Sequence, residues 1–328
     1  MSEFIGREIN MAVGVEAVRG TAQVTAGRTI RKVTCDIIPR ADRVIDDTTF
    51  GRLEDAERVR TVRKWSEGGL EGILHADVLG YFLLNIYGDV NSGVDAGDAY
   101  KHTFSLEQSL AHPTLTLFVK DADVRQEKIA GAVISKFSIN SSSDNYVRFK
   151  AEFLGKEGTD DTSSLPALSD EYDFVGRDVS VKIADTEEGL AAATALKAKD
   201  LSIEWNPNAE ADYVLGSYSP DNIYNKQMSI EGEMSLNYVD NTFEDLYKGD
   251  DFKFMQITIQ GEAEIETGKH PKAVITCHKI QVTDWSRTSA GNDISTQSVK
   301  WKAFLNTDES KQSEVELTNL TTEYIAAS

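Results

Sequence analysis

A regular alternation of apolar and polar residues constrains the fold more than any other feature of the sequence. It is clearest in residues 255–266, where the apolar set is Met255, Ile257, Ile259, Gly261, Ala263 and Ile265, and the polar set is Gln256, Thr258, Gln260, Glu262, Glu264 and Glu266. Side chains of a β-strand point alternately to its two faces, so this pattern predicts a strand with one face on a core and one toward water. Such half-buried strands favour antiparallel sheets.

Weaker alternation elsewhere predicts a mainly β chain with little helix. The other predicted strands are residues 32–39, 68–76, 114–120, 132–140, 146–154, 179–183, 200–206, 228–238, 273–283 and 299–306. Two short helices are predicted, residues 77–88 with Asp77 as N-cap and Gly88 as left-handed cap, and residues 240–249 with Asp240 and Gly249 in the same roles. Residues 191–199 are rich in alanine but run into a strand, so helix and strand both remain open there.

An internal repeat relates the two halves of the chain. Leu70-Glu71-Gly72 matches Ile230-Glu231-Gly232, and Leu83, Ile86 and Tyr87 match Phe243, Leu246 and Tyr247. Both ends of the match share one offset, since 231 − 71 and 247 − 87 are each 160. Residues 33–39 resemble 201–207, and residues 147–151 resemble 299–303, in the same order. The ordered set predicts a duplicated unit, with chance similarity as the alternative.

The composition places the boundary between the halves after residue 154. Residues 155–164 are polar and turn-rich and are followed by Pro166, which is typical of a linker. We therefore expect a first domain at residues 1–158, a linker at 159–172 and a second domain at 173–328. A length of 328 residues fits two domains. The predicted fold is mainly β, with two related antiparallel β-sandwich or barrel domains, each with a short flanking α-helix.

Two stretches lack periodicity and occupy the same place in each half, residues 40–64 and 208–227. The first is dense in charges of both signs. The sequence predicts long loops here, either as solvated surface or as arms that reach a neighbouring copy.

The net charge limits the classes of partner. The chain has 34 basic and 54 acidic side chains, a formal net charge of −20. A field of this sign repels phosphates and anionic lipids, which excludes a protein that grips the nucleic acid backbone but not one that lets DNA pass. No apolar segment is long enough to span a bilayer and no signal peptide is recognisable at the start, so we expect a soluble protein made in a cytoplasm. Two cysteines, Cys35 and Cys277, fit a reducing compartment.

No motif of catalysis stands out. The sequence has no phosphate-binding glycine loop and no nucleophile elbow. The best metal candidate is His270 with Cys277 and His278, but neighbouring strand residues point to opposite faces, which predicts a buried thiol beside a surface histidine. Acidic pairs are too frequent in this composition to indicate a site. We expect no catalytic residue, no metal and no cofactor.

The four tryptophans have two readings. Trp65, Trp205, Trp285 and Trp301 lie on or beside predicted strands. A carbohydrate-binding platform is one possible role, but alternating strands favour packing in the core or between subunits.

Several short motifs resemble one family. Residues 13–22, Val-Gly-Val-Glu-Ala-Val-Arg-Gly-Thr-Ala, look like the opening of tail tube (major tail) proteins of long-tailed, siphovirus-like bacteriophages. Residues 69–72, 101–105, 113–116 and 130–137 add to the resemblance, which covers most of residues 4–155 and, more loosely, 171–305. It implies a structural protein with a β-sandwich or barrel and a flanking helix. Such proteins stack as rings into a hollow tube through which DNA is ejected.

The resemblance also implies an oligomeric state and candidate contact residues. A duplicated tube domain implies trimeric, pseudo-hexameric rings, and a single domain implies hexameric rings. The stretches 40–64 and 208–227 fall where the family carries the loop that contacts the adjacent ring. The candidate inter-ring residues are Arg43, Asp46, Asp47, Arg52, Glu54, Arg58, Arg60, Tyr213 and Tyr218.

A lumen lined by carboxylates would offer DNA no cation to bind. The candidate lumen residues are Glu231, Glu233, Gln256, Thr258, Gln260, Glu262, Glu264 and Glu266. For Glu262, Glu264 and Glu266, an outward position in solvent is an equal alternative.

The implied setting is the virion tail, with the host cytoplasm as the place of assembly. The expected partners are further copies of the chain and other tail proteins, while DNA passes without specific binding and no membrane is involved. An alternative function is a secreted or surface β-sandwich binding module, such as an adhesin or carbohydrate-binding domain, which needs an export signal and an aromatic platform. A carboxylate-dependent hydrolase is a third possibility and needs an acid of raised pKa in a cleft.

Overall fold

The computed structural model describes residues 5–49, 51–122, 124–169, 172–249 and 251–325. Three α-helices are α1 (Ala76–Tyr87), α2 (Glu187–Ala192) and α3 (Thr242–Lys248), and two short 3₁₀ helices are Gly6–Glu8 and Gly176–Asp178. The strands are β1 (Ile9–Val15), β2 (Arg28–Thr29), β3 (Thr34–Cys35), β4 (Ile38–Ile45), β5 (Val59–Ile73), β6 (Gly88–Ala96), β7 (Ala99–Leu106), β8 (Leu115–Asp121), β9 (Arg125–Ser142), β10 (Arg148–Gly155), β11 (Thr159–Asp160), β12 (Val179–Ala184), β13 (Ala198–Asn206), β14 (Glu210–Asp212), β15 (Asn222–Tyr224), β16 (Ser229–Asn237), β17 (Lys253–Gln260), β18 (Lys272–Thr288), β19 (Thr296–Ala303) and β20 (Ser313–Asn319). The mainly β prediction is confirmed.

Antiparallel ladders organise these strands into two long runs. The first run is β5–β10–β9–β13–β16–β19–β18. The second run is β12–β17–β18–β20–β7–β6. Strand β18 belongs to both runs, and β9 also pairs with β8, which continues to β1 and β2. The pairing of β9 with β13 joins the two halves of the chain in one sheet.

Both runs turn their apolar side chains toward one core around α1. All twelve residues of α1 are buried. The ring of Phe82 lies 5.6 Å from Phe137 and 5.3 Å from Phe149, measured between centroids. At the end of α1, the Tyr87 hydroxyl accepts a hydrogen bond of 3.0 Å from the Trp205 indole. The helix of the first half therefore packs against a core side chain of the second half.

The predicted linker follows the surface of the first half. Strand β11 pairs with β9, and the Thr29 hydroxyl donates a 2.6 Å hydrogen bond to the Pro166 carbonyl. The chain then passes the start of α1, where the Ala76 amide donates to the Tyr172 carbonyl at 3.1 Å.

The helix ends differ in part from the prediction. Helix α1 has His75 as its N-cap, and Asp77 lies in the first turn, paired with Arg28 at 2.8 Å. Gly88 ends α1 with a φ of 89°, in the left-handed region as predicted. Asn241, one residue after Asp240, is the N-cap of α3, and Gly249 ends α3 with extended backbone instead of the left-handed form. The open stretch 191–199 divides, since α2 ends at Ala192 and β13 begins at Ala198.

Two predicted strands are cut short or interrupted. The alternation of residues 255–266 is strand only as far as Gln260, because the Gly261 amide turns to the Pro271 carbonyl at 2.9 Å. Pro271 has no N–H with which to continue the ladder, and residues 261–271 form the turn to β18. The predicted strand 32–39 is interrupted between β3 and β4, where the Asp36 carboxylate accepts the Gly69 amide at 2.6 Å.

Strands β9 and β18 carry the same two β-bulges. On β9, register shifts fall between Ile129 and Ala132 and between Ile134 and Lys136. On β18, they fall between Cys277 and Ile280 and between Val282 and Asp284. The difference is constant, since 277 − 129, 280 − 132, 282 − 134 and 284 − 136 are each 148. The strands on either side, β8 and β10, correspond in the same way to β17 and β19.

Candidate functional site

The stretch predicted as a charged loop at residues 40–64 is instead a two-stranded ribbon. Strand β4 pairs with the first part of β5, from Ile38 opposite Glu67 to Ile45 opposite Val59. All eight residues of β4 are exposed. We call β4, residues 46–58 and β5 as far as Trp65 the first arm; Phe50 lies outside the described residues. With both faces in solvent, a ribbon shows no alternation in its sequence.

The tip of the first arm combines charged and apolar side chains. Arg58 pairs with Asp46 at 3.0 Å, and the Asp46 amide donates to the Arg58 carbonyl at 2.9 Å. Hydrogen bonds from Thr48, followed by the one from Arg58, lower the pKa of Asp46. The candidates Asp47, Arg52 and Glu54 are exposed at the tip, and Arg43 and Arg60 lie on the two strands. The side chain of Leu53 is fully exposed, and Val44 and Ile45 are 57% and 62% exposed.

The second predicted loop, residues 208–227, is a shorter hairpin of β14 and β15 fastened to the first half. Ile223 is buried, and Arg19 donates a 2.9 Å hydrogen bond to the Asn222 side chain. The two stretches therefore do not form equivalent arms. Tyr213 and Tyr218 lie at the base of the first arm.

The contacts of these two tyrosines join the hairpin to the arm. The Arg63 guanidinium stands 4.5 Å from the centroid of the Tyr213 ring. The Lys64 amide donates a 2.9 Å hydrogen bond to the Tyr218 carbonyl. The structure thus brings Tyr213 and Tyr218 to the other candidate inter-ring residues, though at the arm's base and not at its tip.

A row of polar residues crosses β3 and the first run, each opposite the next on the neighbouring strand. Its members are Thr34, Glu71, Lys150, Ser138, Glu204, Glu231, Lys302 and Gln281. Carboxylates accompany the lysines of this face: Lys302 lies 2.6 Å from Glu231, and Lys150 lies 3.5 Å from Glu71. Lys136, on the same face of β9, lies 2.9 Å from Glu204.

The two candidate lumen residues of β16 therefore lie on a face where charges alternate in sign. Glu231 has its pKa lowered, chiefly by the hydrogen bond from Lys302. Glu233 lies opposite Lys300 and accepts a 2.6 Å hydrogen bond from Ser298. The expectation of carboxylates without cations does not hold for this face. It could not be anticipated from one strand, because the lysines come from strands distant in sequence.

The other candidate lumen residues lie elsewhere. Gln256, Thr258 and Gln260 are on β17 in the second run, and none of them pairs with a residue of the polar row in the described ladders. Glu262, Glu264 and Glu266 lie in the turn after β17. The Glu262 carboxylate accepts a hydrogen bond from the Arg177 guanidinium, and the Asp98 amide donates one to the Glu266 carboxylate at 3.5 Å. The lumen assignment of Glu262, Glu264 and Glu266 assumed that they lie on a strand, and they do not.

A buried carboxylate joins several of the short motifs near the N-terminus. Glu16 is 7% exposed and accepts hydrogen bonds from the amides of Gly20 at 2.6 Å and Gly131 at 2.7 Å. The hydroxyls of Thr114 and Thr116 donate to the same carboxylate, the latter at 2.9 Å. These segments are among the motifs recognised in the sequence, but their meeting point is created by long-range folding and leaves no local pattern.

The structure also places the cysteine, histidine and tryptophan candidates. Cys277 is buried as predicted, but His278 is also buried, at 2% exposed, because the bulge at residues 278–279 breaks the alternation there. Trp205 and Trp301 are buried in the core, which confirms the packing prediction for these two. Within the described residues, no three His, Cys, Asp or Glu side chains gather as a metal site. No helix in the described part of the chain has the length and apolar character to cross a membrane.

Comparison with known proteins identifies the family. No curated protein matches the chain significantly. The sequence model of the family described as "Phage tail tube protein" matches residues 6–303, most of the chain. The matched range includes the segments that meet at Glu16. The chain therefore belongs to the phage tail tube protein family.

Proposed function

We propose that this tail tube family member is the structural subunit of a siphovirus-like tail and polymerises as stacked rings around a DNA-conducting lumen. The observation that carries the proposal is the first arm, a ribbon with one whole strand in solvent. A ribbon exposed on both faces buries too little apolar surface to be stabilised by its own chain. Its exposed Val44, Ile45 and Leu53 favour contact with another molecule.

The arm is the proposed contact between rings. It carries the candidates Arg43, Asp46, Asp47, Arg52, Glu54, Arg58 and Arg60, and its base is braced by Tyr213 and Tyr218. Side chains of both signs suit a like surface on the next ring, where acid can face base.

The polar face of the first run, with Glu231 and Glu233, is the proposed lumen wall. Its lysines are held by carboxylates at 2.6 to 3.5 Å, so they offer phosphates few free cations. Without counterion release DNA gains little on contact and slides past. For Gln256, Thr258 and Gln260 on β17, the lumen assignment remains a prediction of the sequence.

The two halves are the proposed tube domains, residues 1–158 and 173–328, joined by residues 159–172. The shared bulges of β9 and β18 support a duplication, with offsets that differ from the 160 suggested by the sequence. Three chains would then supply six similar units, which favours a trimeric, pseudo-hexameric ring. Assembly in the host cytoplasm and contact with other tail proteins complete the proposal, which includes no catalytic role.

Electron microscopy of the purified protein tests this function. We expect rings or tubes whose central channel is wide enough for duplex DNA, forming above a threshold concentration. A protein that stays monomeric at high concentration, even with its tail initiator added, would overturn the proposal. Specific hits on a glycan array would then favour the surface binding module.

A further inference from the structure

At one place β9 pairs with a strand on both of its sides, whereas β18 pairs with a strand on only one side at the corresponding place. Phe137 on β9 pairs with Ala151 of β10 on one side and with Trp205 of β13 on the other. By the offset of 148, Trp285 on β18 corresponds to Phe137. Trp285 pairs with Val299 of β19 on one side, and within the described residues no strand pairs with its other side.

The strand missing from this edge has a counterpart at the other end of the chain. Two glycines that lie against carbonyls identify it: a Cβ on Gly232 would lie 2.6 Å from the Ser202 carbonyl, and one on Gly68 would lie 2.3 Å from the Asp36 carbonyl. Gly232 is opposite Trp301, and Gly68 is opposite Phe153, the residue that corresponds to Trp301. The segment around Asp36, from β3 into β4, therefore corresponds to β13 with an offset of 166, from 202 − 36.

This segment has one edge without a strand as well. Residues 34–39 pair with β5, and in the described structure no strand lies on their second side. In β13 the equivalent side is the one that pairs with β9. The first run thus has an open edge at each end: we call the edge on β18 the tail edge and the edge on β3 and β4 the head edge.

We propose that the tail edge of one subunit, residues 284–288, binds the head edge of the next subunit, residues 36–40. The inference rests on the proposed ring assembly and names its side-to-side contact. The join between subunits then repeats the join between the two halves of one chain. Repeated head-to-tail contacts form a closed ring when the rotations between successive units add up to a full turn. If each chain contributes two of six such units, three chains complete the ring.

Charge and apolar surface on the two edges match. Continued one residue past the Phe137–Trp205 pair, the register of β9 with β13 places Asp284 against Arg40 of the next subunit. Within one chain Asp284 lies 3.2 Å from Lys300 and Arg40 lies 2.9 Å from Glu67, so the contact would join two existing ion pairs. Val33 and Ile38 at the head edge are 54% and 40% exposed, and Ile294, in the connection that follows the tail edge, is 72% exposed. Apolar side chains of this exposure favour burial in a contact.

The head edge is protected in the free subunit. Pro39 has no N–H to donate, and the Ile37 carbonyl already accepts a 2.9 Å hydrogen bond from Arg125. Fewer backbone hydrogen bonds can form here than between β9 and β13, so side chains must supply more of this contact. Free subunits are thereby hindered from pairing edge to edge at random.

Disulfide trapping tests the contact and its register. Ser138 lies opposite Glu204, so Ser286 falls opposite Ile38 of the next subunit. Residues opposite each other in an antiparallel ladder are close enough to form a disulfide. In assembled protein we expect the I38C/S286C double variant to give covalent dimers and trimers on oxidation, with the trimer as the largest species. The single variants and an I38C/G93C pair, whose second site is open surface, should stay monomeric.

A charge exchange provides a second test that does not need cysteines. R40D and D284R should each reduce ring formation several-fold, and the R40D/D284R double variant should restore it. Tubes that form normally without cross-links and without this rescue would overturn the contact and leave the proposed function standing. The absence of any ring or tube from the native chain would instead overturn the proposed function, and with it this inference.

Discussion

Phe137 and Trp205 lie opposite each other in the ladder of β9 with β13, with their ring centroids 5.6 Å apart. Trp205 is fully buried and also donates its indole N–H to Tyr87 at the end of α1. The side chain of Trp205, on β13 of the second half, thus contacts both the sheet of the first half, at β9, and the end of helix α1.

Trp205→Ala should destabilise the protein strongly. Loss of a large buried aromatic side chain costs about 3–5 kcal/mol, which combines lost burial with the cavity left behind. Trp65→Ala is the matched control, since Trp65 is only partly buried and lies at the base of the arm. Denaturant unfolding measures both free energies, and an equal effect of the two substitutions would contradict the joining role of Trp205.

Glu16→Ala should also be severe, for a different reason. It would leave the Gly20 and Gly131 amides and the Thr114 and Thr116 hydroxyls without their shared acceptor. A donor left without its acceptor in a buried site typically costs about 1–3 kcal/mol, and four donors share this one carboxylate. Glu16→Gln keeps the shape and one acceptor oxygen, so a smaller loss is expected. The exposed Glu8→Ala is the control, and thermal unfolding that ranks the three otherwise would count against this account of the motif.

Shortening the first arm should separate folding from assembly. Replacement of residues 46–58 by Asn-Gly leaves Ile45 and Val59 joined by a two-residue hairpin turn. Since the removed residues are mostly exposed, we expect subunit stability to change by only about 0.5 kcal/mol. Single rings should still form, but they should not stack into tubes. Leu53→Ser should weaken stacking, while Val94→Ser, an exposed site outside the arm, should not; tubes of normal length from the shortened arm would refute the inter-ring role.

Removing carboxylates from the polar face should make the tube retain DNA. The E204Q/E231Q double variant frees Lys136 and Lys302 from their partners. Freed lysines can release counterions from phosphates, so DNA should bind the tubes at low salt and dissociate as salt rises. The E262Q/E264Q variant makes the same change in net charge within the turn after β17. Co-sedimentation of duplex DNA with the tubes measures the effect, and equal retention by both variants would argue against the polar face as the lumen wall.

Local sequence patterns predicted what local forces determine. The alternation from Met255 to Gln260 and the cap at Gly88 both appear in the structure, because period and φ preference act within a few residues. Strand β17 ends where the Gly261 amide donates to the Pro271 carbonyl. Pro271 lies outside the alternating segment of the sequence but next to Gly261 in the turn. Strand periodicity could not show this contact.

The sequence predicted a relation between the halves with one offset of 160, and the ladders support other offsets. The matched Glu-Gly motifs pair Gly72 with Gly232, whereas the ladders relate Gly68 to Gly232 through Phe153 and Trp301. Bulges shift register without leaving a mark in composition. The charge pairing of Glu231 with Lys302 was likewise beyond reach, since it joins strands separated by most of the second half.

The central claim is that one chain contains two tube units and that three chains close a ring. Cryo-electron microscopy of assembled tubes, with the number of chains per ring counted from the density, tests it most directly. The account predicts threefold rings in which β9 of one half and β18 of the other occupy positions related by a rotation of about one sixth of a turn. Rings of six whole chains, or rings in which β9 and β18 lie in unrelated positions, would contradict it.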